Sequence, residues 1–163
     1  MKVLLSVGTH EQPFARMVDV ADRLAAAGHD VTIQYGYSRA PELARGFAFA
    51  SGDELIAAMA GADEVVTHAG PATVLQALDV GRQPIVFPRS RAHGEHVDEH
   101  QVEFAAHLGA KGLARVAFTP DDVVGLIGAP QGGLDLEERR KRIAGNRLRL
   151  AASLDAWLLR RGS

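Results

Sequence analysis

Short apolar runs alternate with longer segments of helical periodicity along most of the chain. Residues 2–8 form an apolar run that ends at a glycine, and residues 13–28 then repeat apolar side chains at helical spacing. Further runs that predict strands lie at residues 29–37, 46–50, 63–68, 83–88 and 112–118, and further helical segments at 51–62, 72–81, 97–110 and 119–128. The alternation predicts an α/β fold, with a Rossmann-like parallel sheet covered by helices on both faces.

The C-terminal segment follows a different pattern. Residues 129–133 are rich in proline and glycine and predict a linker, and residues 134–161 predict a long helix that Gly145 interrupts. We therefore divide the chain into a Rossmann-like domain, residues 1–130, and a linker with a basic amphipathic helix, residues 131–163.

Composition places the chain among ordinary globular proteins. It has 163 residues, enough for one domain with a real core, and it is 47% hydrophobic and 23% charged. It contains no cysteine, which excludes disulfides and thiolate metal sites. No stretch approaches the roughly 20 apolar residues that cross a bilayer, and the N-terminus reads as a strand and not as a signal peptide. We expect a cytoplasmic protein, and a homo-oligomer is one of the states open to it.

The net charge of −2 conceals an asymmetry. Residues 135–163 carry eight basic and four acidic side chains, or +4, which leaves −6 for residues 1–134. The acidic body and the 6% aromatic content argue against nucleic-acid binding. The basic helix either packs on its own domain or docks on a partner or membrane surface, and both alternatives stay open. The residues available for docking are Arg139, Arg140, Lys141, Arg142, Leu150, Leu154, Trp157 and Leu158.

Chemically unusual residues follow the first predicted strand. Gly8 lets the backbone turn sharply and approach a ligand, and Thr9 and His10 come next. The helix that starts near Pro13 adds free N–H groups, which favour an anion. The loop lacks the Gly-Lys-Ser/Thr of a P-loop and the further glycines of a dinucleotide fingerprint. A simple capped turn is the alternative.

A second loop, residues 67–73, connects a buried strand to a helix. Its small residues expose backbone amides at the start of that helix, Thr73 adds a hydroxyl, and His68 can donate to a phosphate oxygen. This arrangement predicts a cradle for a diphosphate, formed by His68, Ala69, Gly70, Pro71, Ala72 and Thr73. The alternative is a histidine that only caps its own loop.

A third loop, residues 88–101, is dense in hydrogen-bonding groups and suits a polyhydroxylated ligand. Its candidate ligand-binding residues are Arg89, Glu95, His100 and Gln101. Residues 96–100 also match the H-x-x-E-H pattern of inverted zinc proteases, with both histidines expected on one helical face. No third acidic ligand stands out downstream, and there is no Asp-x-Asp motif, so we expect no metal.

Three stretches together resemble a known family. They are VGTHEQPFARMV, DEVVTHAGPATVLQAL and PIVFPRSRAHGEHVDEHQVEFA, within residues 7–105. The chain resembles the C-terminal domain of glycosyltransferase family 28, in particular its short stand-alone members. These include soluble catalytic subunits of two-component N-acetylglucosaminyltransferases and bacterial polysaccharide-biosynthesis transferase subunits. The resemblance runs from about residue 1 to 127 and implies the donor-binding half of a GT-B enzyme.

The resemblance also implies roles for single residues. His68 to Thr73 would hold the diphosphate of a nucleotide sugar, with Gly8 and Thr9 on the opposite side. Position 76 would face the ribose, Gln101 the donor sugar, and Phe49 to Ser51 the base. The family usually has glutamate where this chain has Gln76, and transferases that use dTDP-sugars often lack that glutamate. UDP-sugar is the preferred donor, and dTDP-sugar is the alternative.

A mechanism follows as an expectation. Helix-end amides and His68 would stabilise charge on the departing diphosphate without a metal or cofactor. His10 is the candidate general base. Because one Rossmann-like domain supplies one wall of a GT-B site, the resemblance implies a membrane-associated partner subunit that carries a lipid-linked or polysaccharide acceptor. The alternatives are a non-catalytic accessory subunit that binds nucleotide sugars, and a metabolite-binding regulator.

Overall fold

The computed structural model of the protein describes residues 1–129 and 136–159, the latter without the side chains of residues 136, 139, 155 and 157–159. Most of the predicted linker, and the side chains of Arg139, Trp157 and Leu158, lie outside the described residues. The division of the chain at residue 130 stays a prediction.

The described chain forms a six-stranded sheet in which every strand pairing is parallel. The strands are β1 (Lys2–Ser6), β2 (Asp30–Gln34), β3 (Arg45–Phe47), β4 (Glu64–Thr67), β5 (Ile85–Val86) and β6 (Arg115–Val116). The helices are α1 (Ala15–Ala26), α2 (Gly52–Gly61), α3 (Pro71–Asp79), α4 (His100–Ala110), α5 (Pro120–Leu126) and α6 (Leu136–Leu159), with a 3₁₀ turn at Arg91–His93. The strand order is β3-β2-β1-β4-β5-β6. The predicted α/β fold is confirmed.

The helices cover both faces of the sheet because neighbouring strand residues point to opposite sides. Val66 of β4 belongs to the core that contains α1 and Val123 of α5. Val65, beside it, packs with Met59 of α2 and Ala77 of α3. Helices α4 and α6 extend that second layer over β5. This burial on both faces explains why the strand runs are apolar throughout.

Side-chain caps fix where α2 and α5 begin. Ser51 Oγ accepts from the Glu54 N–H, and the Glu54 carboxylate accepts from the Ser51 N–H at 2.8 Å. Thr119 and Asp122 form the same reciprocal pair at α5. Each box satisfies two N–H groups at the start of its helix. Ser51 is thus the N-cap of α2, and Pro120 lies in the first turn of α5.

Two helix bounds differ from the sequence prediction. Helix α4 begins at His100 and not at residue 97. Its N-cap is Glu99, and just before the helix Asp98 Oδ1 accepts from the His100 N–H at 2.8 Å. Helix α6 runs without a break through Gly145. One glycine costs a helix about 1 kcal/mol, and the packing of Ile143 and Leu150 on either side offsets that loss.

Helix α6 packs on its own domain along the residues whose side chains are described. Leu150 is fully buried, and Leu154 packs against the same core as α3 and α4. Arg147 pairs with Asp79 of α3. Of the two alternatives, the structure therefore supports packing on the domain for Leu150 and Leu154. Within residues 1–129 and 136–159, no helix combines the length and the apolar character that a membrane crossing requires.

Candidate functional site

The strand order reverses between β1 and β4, and the loops that follow these two strands part to form a cleft. Parallel α/β sheets bind ligands in this crevice, beyond the carboxyl ends of the strands. The cleft has a volume of about 400 Å³. Its lining residues are Ser6, Gly8, Thr9, Gln34, Phe49, Ala50, Ser51, Gly52, Leu55, His68, Gly70, Pro71, Ala72, Thr73 and Gln76.

The cleft brings together most residues of the first two predicted loops. Gly8 and Thr9 face the loop of His68 across it, and Gln76 and the segment 49–51 also line it. Ala69 is buried in the core behind the loop. Ser6, Gln34, Gly52 and Leu55 also line the cleft and were not predicted from the sequence. Ser6 and Gln34 had a signal, because each is a polar residue at the carboxyl end of its strand.

Gln34 forms part of the cleft wall, and both ends of its side-chain amide are hydrogen-bonded within the protein. Its Oε1 accepts from the Ser6 hydroxyl at 2.8 Å and from the Gly8 N–H at 3.1 Å. Its Nε2 donates to the carbonyls of Gly8 and Ala48, each at 3.0 Å. The buried amide thus ties the Gly8 loop to the segment that leads to Phe49.

The imidazole of His68 lies against two glycines. Gly8 has φ of 77°, and a Cβ there would lie 2.5 Å from Cε1 of His68. A Cβ on Gly70 would overlap Nε2 of the same ring. Real Cβ atoms do not approach this closely. The glycines of both loops are therefore required for the ring to lie between them.

His68 is neutral at pH 7. Burial, and then the positive charge of Arg89, lower the pKa of His68 to about 4. Its Nδ1 is buried and has no hydrogen-bond partner among the described residues. A neutral imidazole still carries one N–H donor, so the ring remains able to hydrogen-bond to a phosphate oxygen.

The start of α3 adds backbone donors to the same cleft. Gly70 caps the helix without a side-chain hydrogen bond, and the first helical bond runs from the Val74 N–H to the Gly70 carbonyl at 3.1 Å. The N–H groups of Ala72 and Thr73 precede that bond, and Pro71 has none. A helix N-terminus with unused amides favours an anion.

Arg89 and Glu95 lie outside the cleft, in contacts within the protein. The Arg89 guanidinium is fully buried and donates to backbone carbonyls of the first and third loops. The Glu95 carboxylate accepts from Arg16 at 2.5 and 2.8 Å and from the Ser90 N–H at 3.1 Å. These polar groups are occupied without a ligand.

The remaining candidates, His10, His100 and Gln101, also lie beside the cleft and do not line it. His10 Nδ1 accepts from the Gln12 N–H at 3.2 Å, and its ring contacts that of His96 in a tilted arrangement, with the centroids 4.5 Å apart. Burial, His96 and Arg89 lower the pKa of His10. Gln101 Oε1 accepts from the Arg89 N–H at 3.1 Å, and His100 pairs with Asp98 at 2.6 Å.

The H-x-x-E-H run does not form the helical face that its pattern predicts. His96 lies before α4, and His100 is the first residue of that helix. Across residues 1–129 and the described side chains of α6, no three histidine, aspartate or glutamate residues are grouped so as to hold a metal ion.

Comparison with known proteins assigns the family. Residues 2–152 match the family model described as the glycosyltransferase family 28 C-terminal domain. The chain belongs to glycosyltransferase family 28. Over 71 residues it is 37% identical to the UDP-N-acetylglucosamine transferase subunit ALG13 of Yarrowia lipolytica. The matched stretch covers 44% of this chain and 34% of that protein. The chain thus spans about a third of the length of this relative.

Solved glycosyltransferases share the fold of this family 28 domain. The glycotransferase of kitacinnamycin superposes with a TM-score of 0.66 at 21% identity, over 93% of this chain and 39% of the other. The calicheamicin glycosyltransferase CalG4 superposes with a TM-score of 0.61 at 16% identity, over 99% and 44%. At these identities the likeness concerns architecture alone. In both neighbours the matching part is less than half of the chain.

Proposed function

We propose that this domain binds the nucleotide-sugar donor of a glycosyltransferase and stabilises the departing nucleoside diphosphate during sugar transfer. One observation carries the proposal: a neutral imidazole and unused amides of a helix N-terminus face the same cleft, where the strand order reverses. Membership in family 28 supports it. The imidazole and the helix amides suit a diphosphate because each supplies an N–H group that can donate to a charged phosphate oxygen. None of these donors carries a charge of its own that a counter-ion would have to balance.

Charge develops on the diphosphate as the bond to the sugar breaks. The amides of Ala72 and Thr73 and the N–H of His68 are already oriented by packed backbone, so they stabilise that charge without reorganisation. As negative charge builds on the phosphate oxygen, the hydrogen bond from the His68 N–H becomes charge-assisted and stronger. No cofactor or metal enters this scheme.

The donor that we propose is a UDP-sugar. The name of the Yarrowia relative, a UDP-N-acetylglucosamine transferase subunit, supports that choice. Gln76 lines the cleft and would face the ribose. Its amide offers one acceptor where a carboxylate offers two, so a deoxyribose would lose less here than in a site with glutamate. A dTDP-sugar is therefore the second candidate.

His10 remains a candidate for acid–base chemistry, and its hydrogen bond favours one role. Because Nδ1 accepts the Gln12 N–H, the neutral ring carries its proton on Nε2. In this tautomer His10 is a hydrogen-bond donor toward substrate and not a ready base. We propose that the base, which must accept the proton of the acceptor hydroxyl, comes from the second wall of the site.

That second wall would belong to a partner. Exposed apolar side chains follow four different strands at the carboxyl edge of the sheet: Tyr37, Phe49, Val97 and Phe118. Tyr37 and Phe49 contact each other with ring centroids 5.1 Å apart, and exposed apolar contacts of this kind support a surface that another protein covers. We propose a membrane-associated partner subunit that supplies a lipid-linked or polysaccharide acceptor. The Yarrowia relative is itself named as a subunit.

Calorimetry tests donor binding directly. We expect the wild-type chain, with its partner where needed, to bind UDP at millimolar concentration or below and more tightly than dTDP. Changing Gln76→Glu should widen that preference for UDP. Equal or tighter binding of dTDP would overturn the UDP proposal, and no binding of either nucleotide would overturn the donor site itself.

A transfer assay separates catalysis from simple binding. With partner and acceptor present, we expect His68→Gln to lower the rate of transfer on the order of a hundredfold, the effect of removing one donor to developing charge. If the purified pair binds UDP but transfers no sugar from any UDP-sugar or dTDP-sugar, the accessory-subunit alternative is favoured instead.

A further inference from the structure

Among the residues whose side chains the structure describes, Arg89 is the largest that is completely buried. Its Nε and Nη2 donate to the Val7 carbonyl at 3.2 and 2.8 Å, and its Nη1 donates to the carbonyls of Gln12 at 2.6 Å and Glu95 at 3.1 Å. Val7 and Gln12 flank the Gly8 loop, whereas Glu95 belongs to the third loop. One guanidinium therefore joins the two loops that stand beside the cleft.

The charge of this group has no direct ionic partner. Among the described residues, no carboxylate oxygen lies within ion-pair distance of Arg89, and the carboxylate of Glu95 is bound to Arg16 instead. Burial lowers the pKa of Arg89 to about 10, with an opposing contribution from Glu95, so the group remains charged at pH 7. Burying a cation against carbonyl dipoles alone is costly. A well-packed apolar residue would avoid that cost.

We propose that Arg89 is a positioning residue of the donor site, which holds the Gly8 loop in place and supplies a fixed positive charge outside the cleft wall without touching the ligand. The inference rests on the proposed function. Two side chains hold the loop. Gln34 binds the N–H and the carbonyl of Gly8, and Arg89 binds the Val7 carbonyl. The charge acts on His68, because Arg89 contributes to the lowered pKa of that ring.

Two substitutions separate the loop contacts from the charge. Arg89→Lys keeps a positive charge but replaces the planar fork with one ammonium, which cannot reach the same set of carbonyls. Arg89→Met keeps most of the volume and loses both. The matched control is Arg115→Lys: Arg115 is also largely buried, but it pairs with Glu64 and binds the Gln83 carbonyl, away from the cleft.

The readouts are UDP affinity by calorimetry and the pKa of His68 by NMR titration of its ring protons, on variants shown to be folded. We expect both Arg89 variants to lose UDP affinity on the order of tenfold, because small displacements of binding groups have large effects. The pKa of His68 should stay at about 4 in Arg89→Lys and rise in Arg89→Met, while remaining below 6.5 because burial is the larger cause of the shift. Arg115→Lys should change neither quantity.

The outcomes distinguish this inference from the proposed function. If wild type binds no UDP, the proposed function fails. If wild type binds UDP and a folded Arg89→Met binds it equally well with an unchanged His68 pKa, only this inference fails. Should both variants unfold, the Arg89 Nε proton of the wild type provides the test. It should exchange slowly and shift when UDP binds, and no shift on saturation would overturn the inference.

Discussion

His68 and Gly70 fit together so closely that a side chain on the glycine would occupy the position of the imidazole Nε2. Gly70 has φ of −84° and ψ of 121°, which any residue adopts, so the backbone does not require glycine there. The requirement comes from the ring. A Cβ on Gly8 would also meet the ring at Cε1 and Nε2, and Gly8 does need a positive φ, of 77°. The two glycines set the orientation of the only titratable side chain that lines the described cleft.

Substituting Gly70→Ala should therefore impair the cleft more than the fold. The new methyl group displaces the imidazole, and we expect UDP affinity to fall on the order of tenfold or more. Calorimetry measures the affinity and urea unfolding the stability. Gly61→Ala is the control, because a Cβ at that helix position meets nothing within 4 Å. Equal UDP affinity in Gly70→Ala and wild type would contradict the arrangement.

The stability of the protein should depend on pH through His68. Its pKa in the folded state, about 4, lies below the ordinary value of 6.5, so the unfolded chain binds the proton more readily. This contribution to stability is complete above pH 6.5 and is lost as the pH falls toward 4. At pH 4.5 the loss should be on the order of 2 kcal/mol.

Urea unfolding at pH 7 and pH 4.5 measures that loss. His68→Gln does not titrate in this range, so the variant should lose less stability between the two pH values than wild type does. If wild type and variant lose the same amount, His68 is not held neutral as described, and the acid sensitivity belongs to other groups.

The Arg16–Glu95 ion pair should act as a unit. The side chains are 16% and 4% exposed, and Glu95 also accepts the Ser90 N–H. Changing Glu95→Gln leaves a nearly buried guanidinium without its counter-charge, and we expect a loss of about 3 kcal/mol in the free energy of unfolding. Arg16→Met should cost a similar amount.

A double-mutant cycle checks this pair by urea unfolding. Because each single variant leaves the other charge of the pair buried without its partner, the double variant should lose less than the sum of the two. Additive losses would mean that the pair does not interact. A strongly reduced donor affinity in stable Glu95→Gln would instead favour the direct sugar contact expected from the sequence.

Helix α6 should behave as part of the domain core. Leu150 is fully buried beside α3 and α4, and Leu148, on the same helix, is 67% exposed. Leu150→Ala should cost about 2–5 kcal/mol, whereas Leu148→Ala should change stability by less than about 0.5 kcal/mol. Thermal or urea unfolding of the isolated chain provides the comparison. Two equally harmless substitutions would show that α6 does not pack as described.

The candidate site could be predicted in part. Gly8, Thr9 and residues 70–73 were identifiable because small residues after a strand leave backbone amides free, and backbone geometry follows from local sequence. Arg89 and Glu95 could not be placed in the same way. A donor-rich or acceptor-rich side chain can face a ligand or its own backbone, and only the positions of Val7, Gln12 and Arg16 decide which.

The sequence by itself determined the alternation of strands and helices and the small residues at the start of α3, because these depend on periodicity and on neighbours a few residues apart. It did not determine that α6 continues through Gly145, since packing on α3 and α4 outweighs the cost of one glycine. Nor did it reveal that Gln34 of β2 and Arg89 of the loop after β5 hold the Gly8 loop. Contacts between residues far apart in the chain depend on how the strands are ordered, and that order exists only in the folded sheet.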